Sequence, residues 1–387
     1  MSQIGPAEYL ISLCTLAQES GESFGIAMRI GALTSQFNVE ASKVIHSIVT
    51  FSPAPASVAI EFLNELEKVK GIAFLVVPVR SGVSELDCST WATKVIDFLS
   101  ENFTKDQRLQ EIKPLTNLAA EMLTHLLIAT RNPGGKKTPQ DTAHPTPDIH
   151  RLRDIIQLLD EAVINRSQSA LKQLLLWRDG YRCPYTGLSF DPADSHVVPR
   201  ASHILPFSFR DKPLTLSALE TFTGRMLADE VIKMINYPSN AFNAQSDAQE
   251  SYDKLAWGIE AVEADGQVNI ISEQGSRELT LSQWKYYYRE IRRKDRSPTI
   301  TLRDGQEIIF GLGDANGQTI DKPKPLYCNI KLAVARAMNA CGAADIIAEM
   351  DWDHDDDEAI INQPVYLGGP FVPDDTLFRR LEDRLLS

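Results

Sequence analysis

The chain has 387 residues, a length that suits two or three domains. Its 43% apolar and 24% charged residues match globular averages, which excludes disorder as the main state. Lys and Arg number 39 against 52 Asp and Glu; the net charge of −13 argues against wrapping nucleic acid with the whole surface and leaves room only for a local basic patch.

Residues 6 to about 70 alternate helical periodicity with short breaks. Leu10, Leu13, Cys14 and Ala17 fall on one helix face, and Ser52-Pro53-Ala54-Pro55 precedes a helix over Val58–Val69. The run GIAFLVVPV (71–79) reads as one buried strand and is far shorter than the ~20 residues of a membrane helix. Helices are predicted over Thr90–Phe103 and Leu109–Thr130, the second with a start or kink near Pro114. Residues 131–149 are rich in Pro, Gly and Thr and read as a linker. One long helix is expected over Asp148–Trp177, stopping at Asp179-Gly180.

Short extended segments follow at Tyr181–Phe190 and Ser195–Leu205. Helices are then expected over Leu214–Met234 and Asp247–Glu260, and strands near Gln267–Ile271, Glu278–Leu281, Thr299–Leu302 and Glu307–Phe310. A helix over Asn329–Cys341 closes on Gly342. The tail holds an acidic loop, EMDWDHDDDE (349–358), with seven carboxylates and no Lys or Arg, then a last helix near Asp375–Leu386. That loop reads as a solvated segment rather than a cation site. Residues 171–260 carry 9 basic and 11 acidic side chains, so the negative charge is not concentrated in the middle.

The five cysteines (Cys14, Cys88, Cys183, Cys328, Cys341) are odd in number and scattered, with no C-x-x-C pair. This fits a reducing compartment and offers no thiolate zinc site. With no signal-peptide pattern at the N-terminus, the expectation is a soluble intracellular protein, cytoplasmic or nuclear, without a membrane partner.

Chemistry concentrates in the centre. Cys183-Pro184-Tyr185-Thr186-Gly187 is followed by Ser202-His203-Ile204-Leu205-Pro206, then Asn240, and nine positions after it Gln249, with Tyr252-Asp253 beyond. This order resembles the HNH nuclease-domain proteins common in fungi, in which a Cys-x-x-Thr-Gly strand precedes an Ala-His-Ile-x-Pro strand, an Asn, and a His-x-x-Phe-Asp helix. Residues 324–347 look like the helix such proteins carry beyond the nuclease core. The similarity covers roughly residues 178–347. The chain departs from the pattern at Gln249, where the family has His, and at Ser202, where it has Ala.

The expected fold is α+β: the pattern along the chain gives a mostly helical N-terminal domain (1–130), the linker (131–149) and, at the end, the acidic loop with its helix (348–387), and the resemblance implies between them an HNH-like domain with a leading helix (150–347) built on a ββα core with extra strands and a C-terminal helix. It implies His203 as the general base that activates water against a DNA phosphodiester, Asn240 as the residue that orients this base or pins the loop, and Gln249 and Asp253 at the metal positions. A carboxamide is a poorer transition-metal ligand than imidazole, and help from Asp191, Asp194 or Asp253 would make an oxygen site suited to Mg²⁺ or Mn²⁺. The residue pattern leaves two outcomes open: such a hard-cation site, or no cofactor at all.

Each residue also has a plainer role. His203 can be a hydrogen-bonded strand residue, Asn240 can cap a turn, and Cys183 suits buried packing. The stretch WKYYYREIRRKDR (284–296) interleaves aromatics with Lys285, Arg289, Arg292 and Arg293, a candidate nucleic-acid surface whose alternative is a solvated face with packed tyrosines. Two functions follow: an HNH-endonuclease-like hydrolase with DNA as partner, or an HNH scaffold without its metal, repurposed for non-nuclease small-molecule chemistry or for binding.

Overall fold

The structure, a computed structural model, describes residues 5–20, 27–29, 38–80, 87–131, 155–191, 197, 199–272, 275–313 and 320–345. It is an α+β protein. The first part is nearly all helix: α1 (Pro6–Ser20), the short pair β1 (Ala27–Arg29) and β2 (Asn38–Glu40), α2 (Ala41–Phe51), α3 (Pro55–Glu67), α4 (Ala73–Arg80), α5 (Cys88–Asn102), α6 (Lys105–Glu111), α7 (Lys113–Met122), a π-helical turn (Leu123–Ile128) and α8 (Ala129–Arg131). Then come α9 (Ile155–Val163), α10 (Gln168–Asp179), β3 (Pro199–His203), α11 (Pro213–Thr223), α12 (Ala228–Met234), β4 (Ala241–Gln245), α13 (Ser246–Asp253), β5 (Trp257–Ser272), β6 (Gly275–Glu290), β7 (Glu307–Ile308) and α14 (Pro325–Ala340).

The chain divides into two compact units. The first comprises residues 1–138, 208–232 and 333–387; the second comprises 139–207 and 233–332. In the first, α1 packs on α2, α3 and α5, and α11 packs on α3 and the π turn. Ser52 Oγ donates to the Phe222 carbonyl at 2.6 Å, and Trp91 donates to the Leu75 carbonyl at 3.0 Å.

In the second unit β3 and β4 form an antiparallel pair in which His203 lies opposite Ala241 and Pro199 opposite Gln245. α13 follows β4 without a gap. Both α10 and α13 pack on this pair, so β4 is buried at all five positions. Alternation assigns the two faces. Ala241 joins the α9–α10 core with Leu158, Leu171, Leu174 and Leu175, and Asn243 donates to the Lys172 carbonyl of α10. Phe242 points the other way, its ring 4.9 Å from Tyr252 of α13 and 5.2 Å from Tyr185. The sheet of β5, β6 and β7 adds Trp257 and Tyr288 to that aromatic cluster.

Several sequence expectations are corrected. Residues 71–79 hold the helix α4, not a strand: Ile72, Leu75, Val76 and Val79 are buried at helical spacing while Phe74 is 66% exposed. A nine-residue apolar run does not reveal its own period. The single helix over Asp148–Trp177 is α9 and α10, parted by Arg166 (φ 56°) and restarted by Ser167, whose hydroxyl accepts from the Ala170 amide. Leu214–Met234 is likewise two helices, ended and restarted around Gly224 (φ 62°), where a Cβ would stand 2.8 Å from Ala54 Cβ. The helix expected to reach Glu260 stops at Asp253, because Trp257 is drawn into the aromatic cluster and opens β5. The separate strands at 267–271 and 278–281 are parts of one long β5–β6 ribbon, and Thr299–Leu302 is a loop tied to the Tyr185 carbonyl through the Thr301 amide. Residues 132–154, Asp194, His196 and everything from 346 lie outside the described residues, so the linker and the acidic loop are not described. Among the described residues no helix is long and apolar enough to cross a membrane.

Candidate active site

The Cys-x-x-Thr-Gly element is a knuckle. The Cys183 amide donates to the Leu188 carbonyl and the Gly187 amide to the Cys183 carbonyl, each at 2.9 Å, and Gly187 takes φ 70°, which suits a residue without Cβ. Cys183 is buried and its Sγ accepts from the Gln245 amide at 3.4 Å, a packing role. The knuckle inserts Tyr185 into the aromatic cluster beside Phe242 and Trp257.

Just upstream, Arg178 and Asp179 form a buried pair, Nη2 to Oδ2 2.8 Å and Nε to Oδ1 2.9 Å. Arg178 Nη1 also donates to the carbonyls of Pro238, Ala241 and Asp321. A guanidinium suits this position because its fixed fork serves several acceptors at once. The pair fixes the turn that enters β4, hence the position of the residue opposite His203.

His203 ends β3 on the Ala241 face, toward α9 and α10. Its Nε2 lies 2.9 Å from Asn236 Oδ1. Asn236 is 2% exposed; its Nδ2 donates to the Ala162 carbonyl at 2.6 Å, and its Oδ1 also accepts from Gln168 Nε2 at 2.9 Å. Because Nδ2 serves the α9 carbonyl, Oδ1 is the atom turned to the imidazole. The network therefore assigns the proton to His203 Nε2 and the lone pair to Nδ1. Burial lowers the ring's pKa below its ordinary 6.5, an effect larger than the opposing hydrogen bond from Asn236. This shift favours the uncharged ring at neutral pH. Among the described residues Nδ1 has no hydrogen-bond partner, and the ring is only partly buried, beside Phe207.

Asn240 does not touch this ring. Its side chain accepts from the Leu205 amide (2.9 Å) and donates to the carbonyls of Leu205 (3.0 Å) and Ile235 (2.9 Å). It pins the loop after β3 to the turn before β4, the second of the two roles the resemblance implies. The residue that orients His203 is Asn236, which the sequence reading missed. Nothing in local spacing marks it; its partners are distant in sequence, on α9 and α10.

Gln249 and Asp253 sit on α13, against the other face of the β3–β4 pair. They pair with each other, Gln249 Nε2 donating to Asp253 Oδ2 at 3.0 Å. Ser202, which alternates with His203, shares the Phe242 face with its hydroxyl buried and unpaired among the described residues. These residues fit a resident divalent cation poorly. The imidazole faces away from α13, the Gln249 amide already engages the carboxylate, and Lys331 of α14 interacts electrostatically with Asp253. Among the described residues no group of three or more His, Cys, Asp or Glu side chains could hold a metal.

Compared with family models, with curated proteins and with solved structures, the chain matches none.

The basic stretch divides. Arg289 binds Glu260 (Nε to Oε2 2.8 Å) across the ribbon, and Arg292 is buried and pairs with Asp295 at 3.0 Å. Arg296, in the same stretch, donates to the carbonyls of Ile300 and Leu302 and stands 5.7 Å from the Tyr288 ring centre. Only Lys285 and Arg293 of the four candidates are exposed. Tyr286 and Tyr288 are buried, so neither is available to stack on a base.

Proposed function

We propose that the β3–β4 hairpin and α13 form an HNH-like ββα unit that works without a resident divalent cation, and that His203 is its general base for non-nuclease chemistry on a small molecule. The observation that carries this reading is the hydrogen-bond set of Asn236, which puts the proton on Nε2 and leaves Nδ1, without a partner among the described residues, as the basic atom, on a ring whose pKa burial lowers. In such a step Nδ1 takes the proton and Nε2–H stays with Asn236, whose carboxamide stabilises the imidazolium that forms. The engagement of Gln249 with Asp253, and of Arg289 and Arg292 with carboxylates, favours this reading over DNA hydrolysis. The nuclease reading keeps the same base and two exposed cations, Lys285 and Arg293, and would need Mg²⁺ or Mn²⁺ for the charge on the phosphate.

Two measurements separate them. Plasmid nicking with Mg²⁺ or Mn²⁺, with bound metal by elemental analysis, is expected to be absent in wild type; nicking that disappears in His203→Ala would establish the nuclease instead. Diethyl pyrocarbonate attacks unprotonated imidazole, so mass-mapped labelling of His203 reports Nδ1. Labelling should proceed at neutral pH and decline with a midpoint below 6.5. An inert His203 in folded protein would remove the base.

A further inference from the structure

α10 starts beside the imidazole and carries an amine without a counter-charge. Asn236 Oδ1 takes both Gln168 Nε2 and His203 Nε2, each at 2.9 Å, so the first residue of α10 stands next to the ring. Further along, Asn243 Nδ2 donates to the Lys172 carbonyl at 3.3 Å, and Asn243 lies opposite Ala201, two residues before His203. These contacts lay α10 along the His203 face of the hairpin, with Lys172 one turn beyond Gln168. Lys172 is 7% exposed, yet its amine has no ion pair or hydrogen bond among the described residues. Helical side chains lean toward the helix N-terminus, which turns that of Lys172 back toward the Gln168 turn.

That turn holds open donors. The Ser167 hydroxyl and carbonyl take the amides of Ala170 and Leu171, while those of Gln168 and Ser169 meet no acceptor among the described residues. Open amides at a helix start carry partial positive charge. The charged group that acts on Lys172 is another cation, Arg200, and burial together with Arg200 lowers the lysine's pKa. A buried amine among positive groups is costly unless an anion joins it.

We propose that the Lys172 amine and the open amides that start α10 bind a small carboxylate, and that this anion is the part of the substrate that holds it against His203. This deepens the general-base reading above and rests on it. One ammonium and two amides match the two oxygens of a carboxylate, whereas the third oxygen and second charge of a phosphate would want further cations. A bound carboxylate also removes both burdens on Lys172, since it supplies the missing counter-charge and offsets Arg200.

The full chain in chelator-treated buffer of fixed ionic strength tests this, with malonate as the probe and inorganic phosphate beside it. Calorimetric titration should show one saturable malonate site in wild type, and Lys172→Met should weaken it about tenfold or more, the loss of one charge-assisted contact. Malonate should also slow mass-mapped diethyl pyrocarbonate labelling of His203 several-fold. Should Lys172→Met not fold, wild type decides: malonate should slow acetylation of Lys172 by acetic anhydride several-fold and leave the exposed Lys285 unchanged. The proposal is overturned by the lack of a saturable malonate site, by a site indifferent to Lys172→Met in folded protein, by phosphate bound more tightly than malonate, or by labelling of Lys172 or of a reactive His203 that malonate leaves unchanged. Neither metal nor turnover enters these measurements. A His203 inert to diethyl pyrocarbonate without malonate would remove the base and leave the anion titration standing.

Discussion

Asn236 governs His203 through a single atom, its Oδ1, and two substitutions read that control. In Asn236→Asp the oxygen becomes part of a carboxylate next to the ring, which favours imidazolium. The His203 pKa should move from below 6.5 to above it, measured by the pH dependence of its ring carbon resonances. In the native chain the depressed pKa makes stability depend on pH with a definite sign. As pH falls the unfolded chain takes up the proton first, so the stabilisation present above about 6.5 is lost as pH falls toward the folded-state value. Between about pH 7.5 and 5.5 the melting temperature of wild type should therefore fall further than that of His203→Gln, which keeps a donor for Asn236 and does not titrate. The motif led to His203 and Asn240, and it also marked Asn240 as a possible loop pin. It could not lead to Asn236, because the contacts that define that residue come from Ala162 and Gln168, brought in by the packing of two helices.

Elements were legible where a cap or a sustained period marked them. α3, α5 and α14 lie where their apolar spacing predicts, and the Gly342 end of the last is at φ 82°. What the chain did not announce is set by tertiary demand. Residues 71–79 are apolar enough for either a strand or a helix, and α13 ends where Trp257 finds an aromatic cluster assembled from four other segments. The entry to β4 is a further case. The local string Pro238-Ser239-Asn240 suggests a turn, yet what holds it is Arg178, on a helix far upstream. Arg178→Met should be severe: it leaves the Asp179 carboxylate buried and three carbonyls without their donor. A loss of about 3–5 kcal/mol is expected, read as a lower urea midpoint, and Arg178→Lys should recover little because an ammonium cannot span the same acceptors.

At the scale of the molecule, sequence order and spatial grouping part company. Residues 208–232, inserted between the two strands of the hairpin, group with the N-terminal helices. α11 from that insertion packs on α3, and its Phe222 carbonyl takes the Ser52 hydroxyl. Residues 1–138 alone therefore lack part of their own core. Such a fragment should keep helical circular dichroism but lose a cooperative thermal transition, and co-expression with residues 208–232 should not fully restore it, since residues from 333 onward also belong to that unit. A fragment as stable as the full chain would contradict this grouping.

The excursion between Ile204 and Asn240 bears on biosynthesis. His203 leaves the ribosome well before Ala241, its partner across the hairpin, and the intervening segment is recruited by helices made earlier still. Vectorial folding cannot finish the N-terminal unit first and the β3–β4 hairpin second. The hairpin must wait for β4 and the N-terminal unit for residues 208–232 and those from 333, so a nascent chain stalled in that interval exposes apolar faces from both.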